Sequence, residues 1–290
     1  MASAREIKRR IRSVKNIGQV TRAMEAVSAS KMRRAQERTL ASRAYAERAQ
    51  EVLNYLAAQP TGGETHPLLQ AREVRRIGVI LITPERGLAG ALVSNVLRRA
   101  NRFIQEQRGV QIELITAGRK GRDFMLRYGP PLYAEFPAPP DTPRLVEVSP
   151  IARTALDAYL TGHFDQVWLA YTDFVNVMSQ RPVVRQLLPI QATDDTTRLP
   201  ADFLIEPNPQ AVLNELLPAF VGMQVYQAIL EAQASEHSAR MVAMRSATEN
   251  AKELVEDLTL TYNKARQEAI TKEILDIAGG AEALAQATAE

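Results

Sequence analysis

Few residues of this chain have the type and spacing that chemistry requires. Its 290 residues include no cysteine. That excludes a thiolate metal site, a thiol nucleophile, a disulfide scaffold and thiol redox control within the chain. The three histidines, His66, His163 and His237, lie far apart in sequence and lend little support to a metal cluster, so no metal is expected. His163, between Gly162 and Phe164, reads as a capping or core residue. No carboxylate pair or Ser-His-Asp set stands out, and no catalytic residue is assigned. Two glycine-bearing turns follow apolar runs, where nucleotide-binding α/β folds hold phosphate. They are Arg86-Gly87-Leu88-Ala89-Gly90 and Gly118-Arg119-Lys120-Gly121. Neither matches GxGxxG or GxxxxGK(S/T). Their glycines are read as permitting tight strand-to-helix turns, and no cofactor is expected.

Charge is the stronger signal. Residues 1–60 hold 13 Lys/Arg against 5 Asp/Glu, residues 210–290 hold 6 against 12, and the whole chain carries +3. Opposite balances suit segments that lie side by side or meet differently charged partners. Each charge taken singly is equally a solvated helix face. With 46% hydrophobic and 24% charged residues, the composition is that of a soluble globular protein. No run approaches the roughly 20 apolar residues of a membrane span. The N-terminus alternates charge rather than building a signal-peptide core. A soluble protein on the cytoplasmic side is the expectation.

The elements that must position these residues are read from periodicity. From Arg5 to about Ala58 there is no proline and one glycine, Gly18. Ile7, Ile11, Val14, Ile17, Val20, Met24 and Val27 recur near the spacing of a narrow coiled-coil seam. At about 1.5 Å per residue such a helix reaches roughly 80 Å and is expected to protrude from a domain. Gln59-Pro60-Thr61-Gly62-Gly63 stops it. The C-terminal segment starts with Asn208 as N-cap and Pro209 at the first helical position. Helical periodicity then runs from Val212 to about Leu284, and Ile270, Ile274, Ile277, Ala281 and Leu284 form a heptad seam. Pro218 is expected to kink this helix or delay its start. Gly279-Gly280 marks either a frayed last turn or a tightly packed neighbour. The two helices are expected to pair antiparallel, each burying its seam on the other.

Between them, strands are expected at Arg76–Thr83, Val110–Thr116, Gln166–Phe174 and near Val183–Ile190, with helices at Ala91–Gln107, Arg122–Tyr128 and Ile151–Thr161. Gly129–Pro143, rich in proline, reads as an extended loop. Alternating strands and helices imply βαβ units and a largely parallel sheet covered on both faces. The strand near Val183 is expected at an edge, joined to its predecessor as a hairpin. The fold class is therefore α/β: a long antiparallel coiled coil of N- and C-terminal helices plus a central Rossmann-like α/β domain. The expected segments are 1–60, 70–205 and 208–290.

The terminal helices carry a recognisable pattern. Ile11-Arg12-Ser13-Val14-Lys15-Asn16-Ile17, followed by Thr21-Arg22-Ala23-Met24-Glu25-Ala26-Val27-Ser28-Ala29-Ser30-Lys31-Met32-Arg33-Arg34, resembles the N-terminal helix of the gamma subunit of rotary F-type ATP synthases of bacterial type. Met241-Val242-Ala243-Met244-Arg245-Ser246-Ala247-Thr248-Glu249-Asn250-Ala251 is similar to the same family. So are Tyr262-Asn263-Lys264-Ala265-Arg266-Gln267 and Ile270-Thr271-Lys272-Glu273-Ile274-Leu275-Asp276-Ile277. Glu85-Arg86-Gly87-Leu88-Ala89-Gly90 resembles the family's central-domain turn, with Ala89 where many members have cysteine. The resemblance spans nearly the whole chain.

It implies a non-catalytic rotor shaft. The helical pair would insert into a hexamer of alpha and beta subunits, with the α/β domain near the epsilon subunit and the membrane c ring. Ion flow would turn the ring and shaft, and the shaft would drive the beta subunits through ATP synthesis or hydrolysis. Association with the cytoplasmic face of the cell membrane would be peripheral, through the complex. By position in the matching motifs, Arg266, Gln267, Thr271, Glu273 and Met24 would contact a beta subunit. Arg22, Lys31, Arg33 and Arg34 would supply positive charge facing its acidic segment. Arg245 would brace the N-terminal helix near Met24 through Glu25, and Glu206 with Phe203 would face the c ring. The alternatives are a nucleic-acid-binding coiled coil and a small-molecule α/β enzyme. The first lacks aromatic residues for stacking; the second lacks a phosphate-binding glycine motif.

Overall fold

The computed structural model describes residues 4–58, 66–191, 206 and 208–287, without the side chains of 44–47, 56–58, 209 and 282–287. Among these, five helices and five strands follow the order α1 (Ala4–Ala58), β1 (Arg76–Ile82), α2 (Leu92–Glu106), β2 (Gln111–Ala117), α3 (Arg119–Tyr128), β3 (Leu132–Phe136), α4 (Leu145–Leu160), β4 (Gln166–Phe174), β5 (Gln180–Leu188) and α5 (Pro209–Ala287). They form two compact units, one of residues 28–241 and one of residues 1–27 with 242–290. Each terminal helix contributes to both.

The larger unit is built on a five-stranded sheet of order β3-β2-β1-β4-β5. β1 pairs parallel with β2 and β4, β2 parallel with β3, and β4 antiparallel with β5. The central strand shows why its sequence is an unbroken apolar run rather than an alternating one. Ile77, Val79 and Leu81 join a core with α2 and α3 on one face, whereas Ile80 and Ile82 join α4 and α5 on the other. Leu213, Leu217, Phe220, Val221, Val225 and Ile229 supply the α5 side of that second core. β5 lies at one edge in a hairpin with β4, as its position after β4 suggested.

Four expectations need correction. The proline-rich loop contains a strand: Leu-Tyr-Ala-Glu-Phe (residues 132–136) alternates half-buried and exposed side chains and forms the other edge. Flanking prolines, which cannot continue a ladder, hid so short a strand. α3 and α4 both start earlier than expected. α4 opens at Leu145, where the Glu147 carboxylate reaches back to the Arg144 N–H at 2.8 Å. Pro150 then removes only one early N–H, so it lies inside the helix instead of preceding it. Pro218 likewise does not delay α5, whose first turn is capped by Asn208 Oδ1 accepting the Ala211 N–H at 2.8 Å.

The turn into α3 depends on one glycine. Gly118 has φ +107°, and a Cβ there would lie 1.8 Å from the Thr83 carbonyl oxygen. Gly118→Ala is expected to destabilise the chain by about 3 kcal/mol or more, seen as a lower midpoint in chemical denaturation.

Candidate functional site

Two places could carry function: the C-terminal edge of the sheet and the surface of the helical pair. The first is where an open α/β sheet binds ligands, at the point between β1 and β4 where strand order reverses. Here the helix starts are already committed. Thr83 Oγ1 accepts the Gly121 N–H at 2.8 Å, and the Pro84 carbonyl accepts the Lys120 N–H at 3.2 Å. At α2 the Leu92 N–H goes to the Ala89 carbonyl at 3.3 Å. These donors are the groups that would bind phosphate.

The strand ends meet α5 instead of a ligand. Gln233 donates to the Pro139 and Pro140 carbonyls at 3.1 and 2.8 Å. Ser235 donates to Thr172 O at 3.2 Å, Ser238 to Val177 O at 2.6 Å, and Arg240 to Gly87 O at 3.3 Å. From α1, Arg43 donates to Phe174 O at 3.1 Å and Lys31 pairs with Asp141 at 2.6 Å. The crevice is filled by side chains of the chain's own helices.

Beside it lies a charged set that sequence reading missed. Asp173 and Glu231 are both buried. Arg43 bridges them, 3.0 Å from Glu231 Oε1 and 3.5 Å from Asp173 Oδ1, while Arg181 and Arg185 reach Asp173 Oδ2 at 2.9 and 3.5 Å. Burial, with Glu231 nearby, pushes the Tyr171 phenol up. Two buried carboxylates against three arginines are matched ions rather than a poised acid–base pair. No sequence signal could have found them, because they come from α1, β4, β5 and α5. Among the described residues no group of three or more His, Asp or Glu side chains could hold a metal. His163 packs on Phe164 and Tyr133, with Nε2 3.1 Å from Glu113.

In the smaller unit α1 and α5 run antiparallel. Thr21 and Thr248 share a buried hydroxyl–hydroxyl hydrogen bond of 2.8 Å, and a Cβ on Gly18 would lie 3.4 Å from Ala251 Cβ. Stepping outward from these contacts sets Val14 opposite Val255, Ile11 opposite Leu258, Ile7 opposite Tyr262 and Ala4 opposite Ala265. All eight are buried or half-buried. In the other direction Glu25 falls opposite Met244, and Arg245 Nε donates to Glu25 Oε1 at 3.0 Å.

The expected seam is therefore only half right. Ile7, Ile11 and Val14 face the partner helix, but the apolar steps then shorten and drift around α1. Gly18 and Thr21 take the inner positions, leaving Ile17, Val20 and Val27 at 54%, 58% and 55% exposure. The C-terminal heptad does not pair at all. Past Ala265 the register runs out of described α1 residues, and Ile270, Ile274 and Ile277 are exposed. Ala281 is exposed as well, and the Leu284 side chain lies outside the described residues. Arg266, Gln267, Thr271 and Glu273 are exposed on this unpaired stretch, and Met24 is half-buried on α1. Glu206 is exposed, whereas Phe203 lies outside the described residues. No atom comes within 4 Å of a Cβ placed on Gly279 or Gly280.

The geometry is thus that of an antiparallel helical pair with exposed apolar stripes, and of an α/β sheet whose C-terminal edge is occupied by the chain's own side chains. A family model described as ATP synthase matches residues 3–284. The ATP synthase gamma chain of Chloroflexus aurantiacus is 53% identical, over 98% of this chain and 99% of that one. That of Herpetosiphon aurantiacus is 54% identical, over 99% of this chain and all of the relative. A chain in a cryo-EM structure of Euglena gracilis mitochondrial ATP synthase (OSCP/F1/c-ring) shares the fold, with TM-score 0.67, 21% identity, and coverage of 97% of this chain and 94% of that one. A second Euglena structure, of the rotor, gives TM-score 0.64 at 20% identity, covering 92% and 98%. The chain belongs to the ATP synthase gamma chain family. The nucleic-acid and small-molecule readings gain nothing from these likenesses.

Each hydroxyl also has a carbonyl of its own helix in reach, Gly18 O at 3.1 Å for Thr21 and Met244 O at 2.8 Å for Thr248. Removing the Thr248 hydroxyl therefore takes from Thr21 only the bond across the pair. Thr248→Val is expected to cost about 1–2 kcal/mol, and the double variant Thr21→Val/Thr248→Val to recover part of it. A double-mutant cycle by thermal unfolding of the full chain reads that coupling. Deleting the exposed Arg245–Glu25 pair should cost no more than about 1 kcal/mol.

Proposed function

We propose that this chain is the central rotor shaft of an F-type ATP synthase, non-catalytic in itself. It couples ion flow through a membrane c ring to ATP synthesis or hydrolysis on beta subunits. Beyond family membership, one observation carries this reading: α5 continues past its last α1 partner with Ile270, Ile274 and Ile277 exposed, while α1 turns Ile17, Val20 and Val27 outward. Burying one such side chain stabilises by about 1.5–3 kcal/mol, so a folded chain that leaves these stripes open is built to receive a sleeve. A hexamer of alpha and beta subunits is that sleeve.

An off-axis shaft presents a different face to each of three catalytic sites and so stabilises a different conformation in each. Rotation exchanges those preferences, which is a coupling free energy delivered mechanically. In this reading Arg266, Gln267, Thr271, Glu273 and Met24 meet beta subunits, Arg245 braces α1 through Glu25, and Glu206 and Phe203 face the c ring. The epsilon subunit binds near the α/β unit. Among the described residues no helix is long and apolar enough to cross a membrane. Attachment to the cytoplasmic face of the cell membrane then comes through the complex. The filled sheet edge supports a role without bound nucleotide.

Co-expression with alpha and beta subunits is expected to give one copy of this chain per hexamer, with ATPase activity dependent on it, as read by native mass and turnover. Removing Arg266–Glu290 should lower that coupled activity while leaving residues 28–241 folded. Absence of this chain from every hexamer would overturn the reading.

A further inference from the structure

Between β3 and α4 the chain runs through Pro137-Ala138-Pro139-Pro140-Asp141-Thr142-Pro143, a stiff segment whose prolines donate no hydrogen bonds. Other elements hold it. Glu85 Oε1 accepts the Ala138 N–H at 2.7 Å, Gln233 donates to Pro139 O and Pro140 O, and the Tyr226 hydroxyl donates to Pro143 O at 3.2 Å. Lys31 of α1 clamps Asp141 Oδ2 at 2.6 Å. The segment is thus a strap tying the strand ends to both terminal helices within the larger unit.

Under the strap lies His237 of α5, only 3% exposed. Its Nε2 is 3.4 Å from Asp141 Oδ1, yet neither ring nitrogen makes a hydrogen bond. The charged groups around it are Lys31 from α1, Asp141 from the strap, and Glu236 and Arg240 from its own helix. Arg240 is held by Glu236 at 2.6 Å and by the Gly87 carbonyl. Asp141, the carboxylate within ion-pair reach, is already bound by Lys31. A positive charge on His237 would therefore be buried beside a carboxylate whose own charge Lys31 already matches.

We propose that the proline strap is an acid-released latch, closed over a neutral His237 and opened when that ring takes up a proton. Burial pushes the imidazole down to about 4, with Asp141 opposing and Arg240 and Lys31 assisting. Burial would raise the Asp141 carboxyl, but its hydrogen bond to Lys31 and the positive charges of Lys31 and Arg240 hold it below its ordinary value. Burial also raises Glu236 despite Arg240. The sign follows for His237. The closed state binds its proton less readily than the open one, so closure is fully favoured above the free imidazole value of about 6.5 and weakens as pH falls toward 4. Between pH 7.5 and 5.5 the closed-to-open ratio should fall about tenfold. For a rotor, acidification would loosen the junction between sheet and helices, a consequence that rests on the shaft reading above.

Hydrogen exchange on the full chain tests the latch. After correction for the chemical exchange rate, the Ala138 amide, held by Glu85 Oε1, should open about tenfold more at pH 5.5 than at pH 7.5, while β1 amides hold their protection. His237→Gln, neutral throughout, should flatten that dependence. Lys31→Met frees Asp141 for the imidazolium and should shrink it, which keeps the test decisive if His237→Gln does not fold. The His237 ring resonance should titrate with a midpoint below pH 5. A midpoint at or above 6.5, an unchanged dependence in both variants, or strap and β1 amides opening together would overturn the proposal. Loss of assembly with alpha and beta subunits would instead count against the shaft reading and leave the strap exchange unchanged.

Discussion

Carbonyl groups at the C-terminal ends of a parallel sheet need partners, and in most such sheets loops, water or a ligand supply them. Here side chains of the terminal helices do. Gly87, Thr172, Phe174, Val177, Pro139 and Pro140 all give their carbonyls to α5 or α1. The arrangement depends on α5 carrying Gln233, Ser235, Ser238 and Arg240 within two turns. Replacing Gln233, Ser235 or Arg240 by a residue that cannot donate takes a hydrogen bond from β4 or from a loop that follows a strand. The helices are thus part of the sheet's hydrogen-bonding system, and the space a nucleotide would need is spent on anchoring them.

The same polar logic fixes register in the helical pair. Thr21 on Thr248 and Gly18 on Ala251 bring the backbones close and set the antiparallel alignment in which the two hydroxyls meet. A slide of one heptad would bury a threonine against Val14 or Val255. Apolar contacts alone, with Ile and Val available on several faces of α1, would not make that choice. The Arg245–Glu25 pair adds little energy in so exposed a place, but it is formed in this register.

How much of this was legible in the sequence varies with the kind of signal. Long helices, the parallel sheet and the β4–β5 hairpin follow from periodicity and from proline and glycine placement, which are local. The seam was misread beyond Val14 because periodicity shows which residues are apolar, not which apolar face meets the partner. Polar Gly18 and Thr21 won the inner positions through close approach and a shared hydrogen bond. β3 was missed because prolines mask a five-residue edge strand. The Arg43–Asp173–Glu231 set and the Lys31–Asp141–His237 cluster join residues that only the fold brings together. The family pattern, by contrast, was legible in full, since motif residues at both ends and in the middle carry it.

The unpaired C-terminal stretch then becomes intelligible through what it lacks. A shaft that turns inside a sleeve cannot afford strong directional contacts around its circumference, because each would hold one angle against the others. From Ala269 to Ala281 the exposed surface offers Ile270, Ile274, Leu275 and Ile277 beside the polar Thr271, Lys272, Glu273 and Asp276, with no atom within 4 Å of a Cβ placed on Gly279 or Gly280. Apolar contact is non-directional, so it can be exchanged between successive faces of a sleeve at little cost. Two glycines each weaken an isolated helix by about 1 kcal/mol relative to alanine. Stiffness from the paired stretch and slip at the bare one are opposite demands, met on a single helix by the half-buried Val255, Leu258 and Tyr262 and by the exposed Ile270, Ile274 and Ile277.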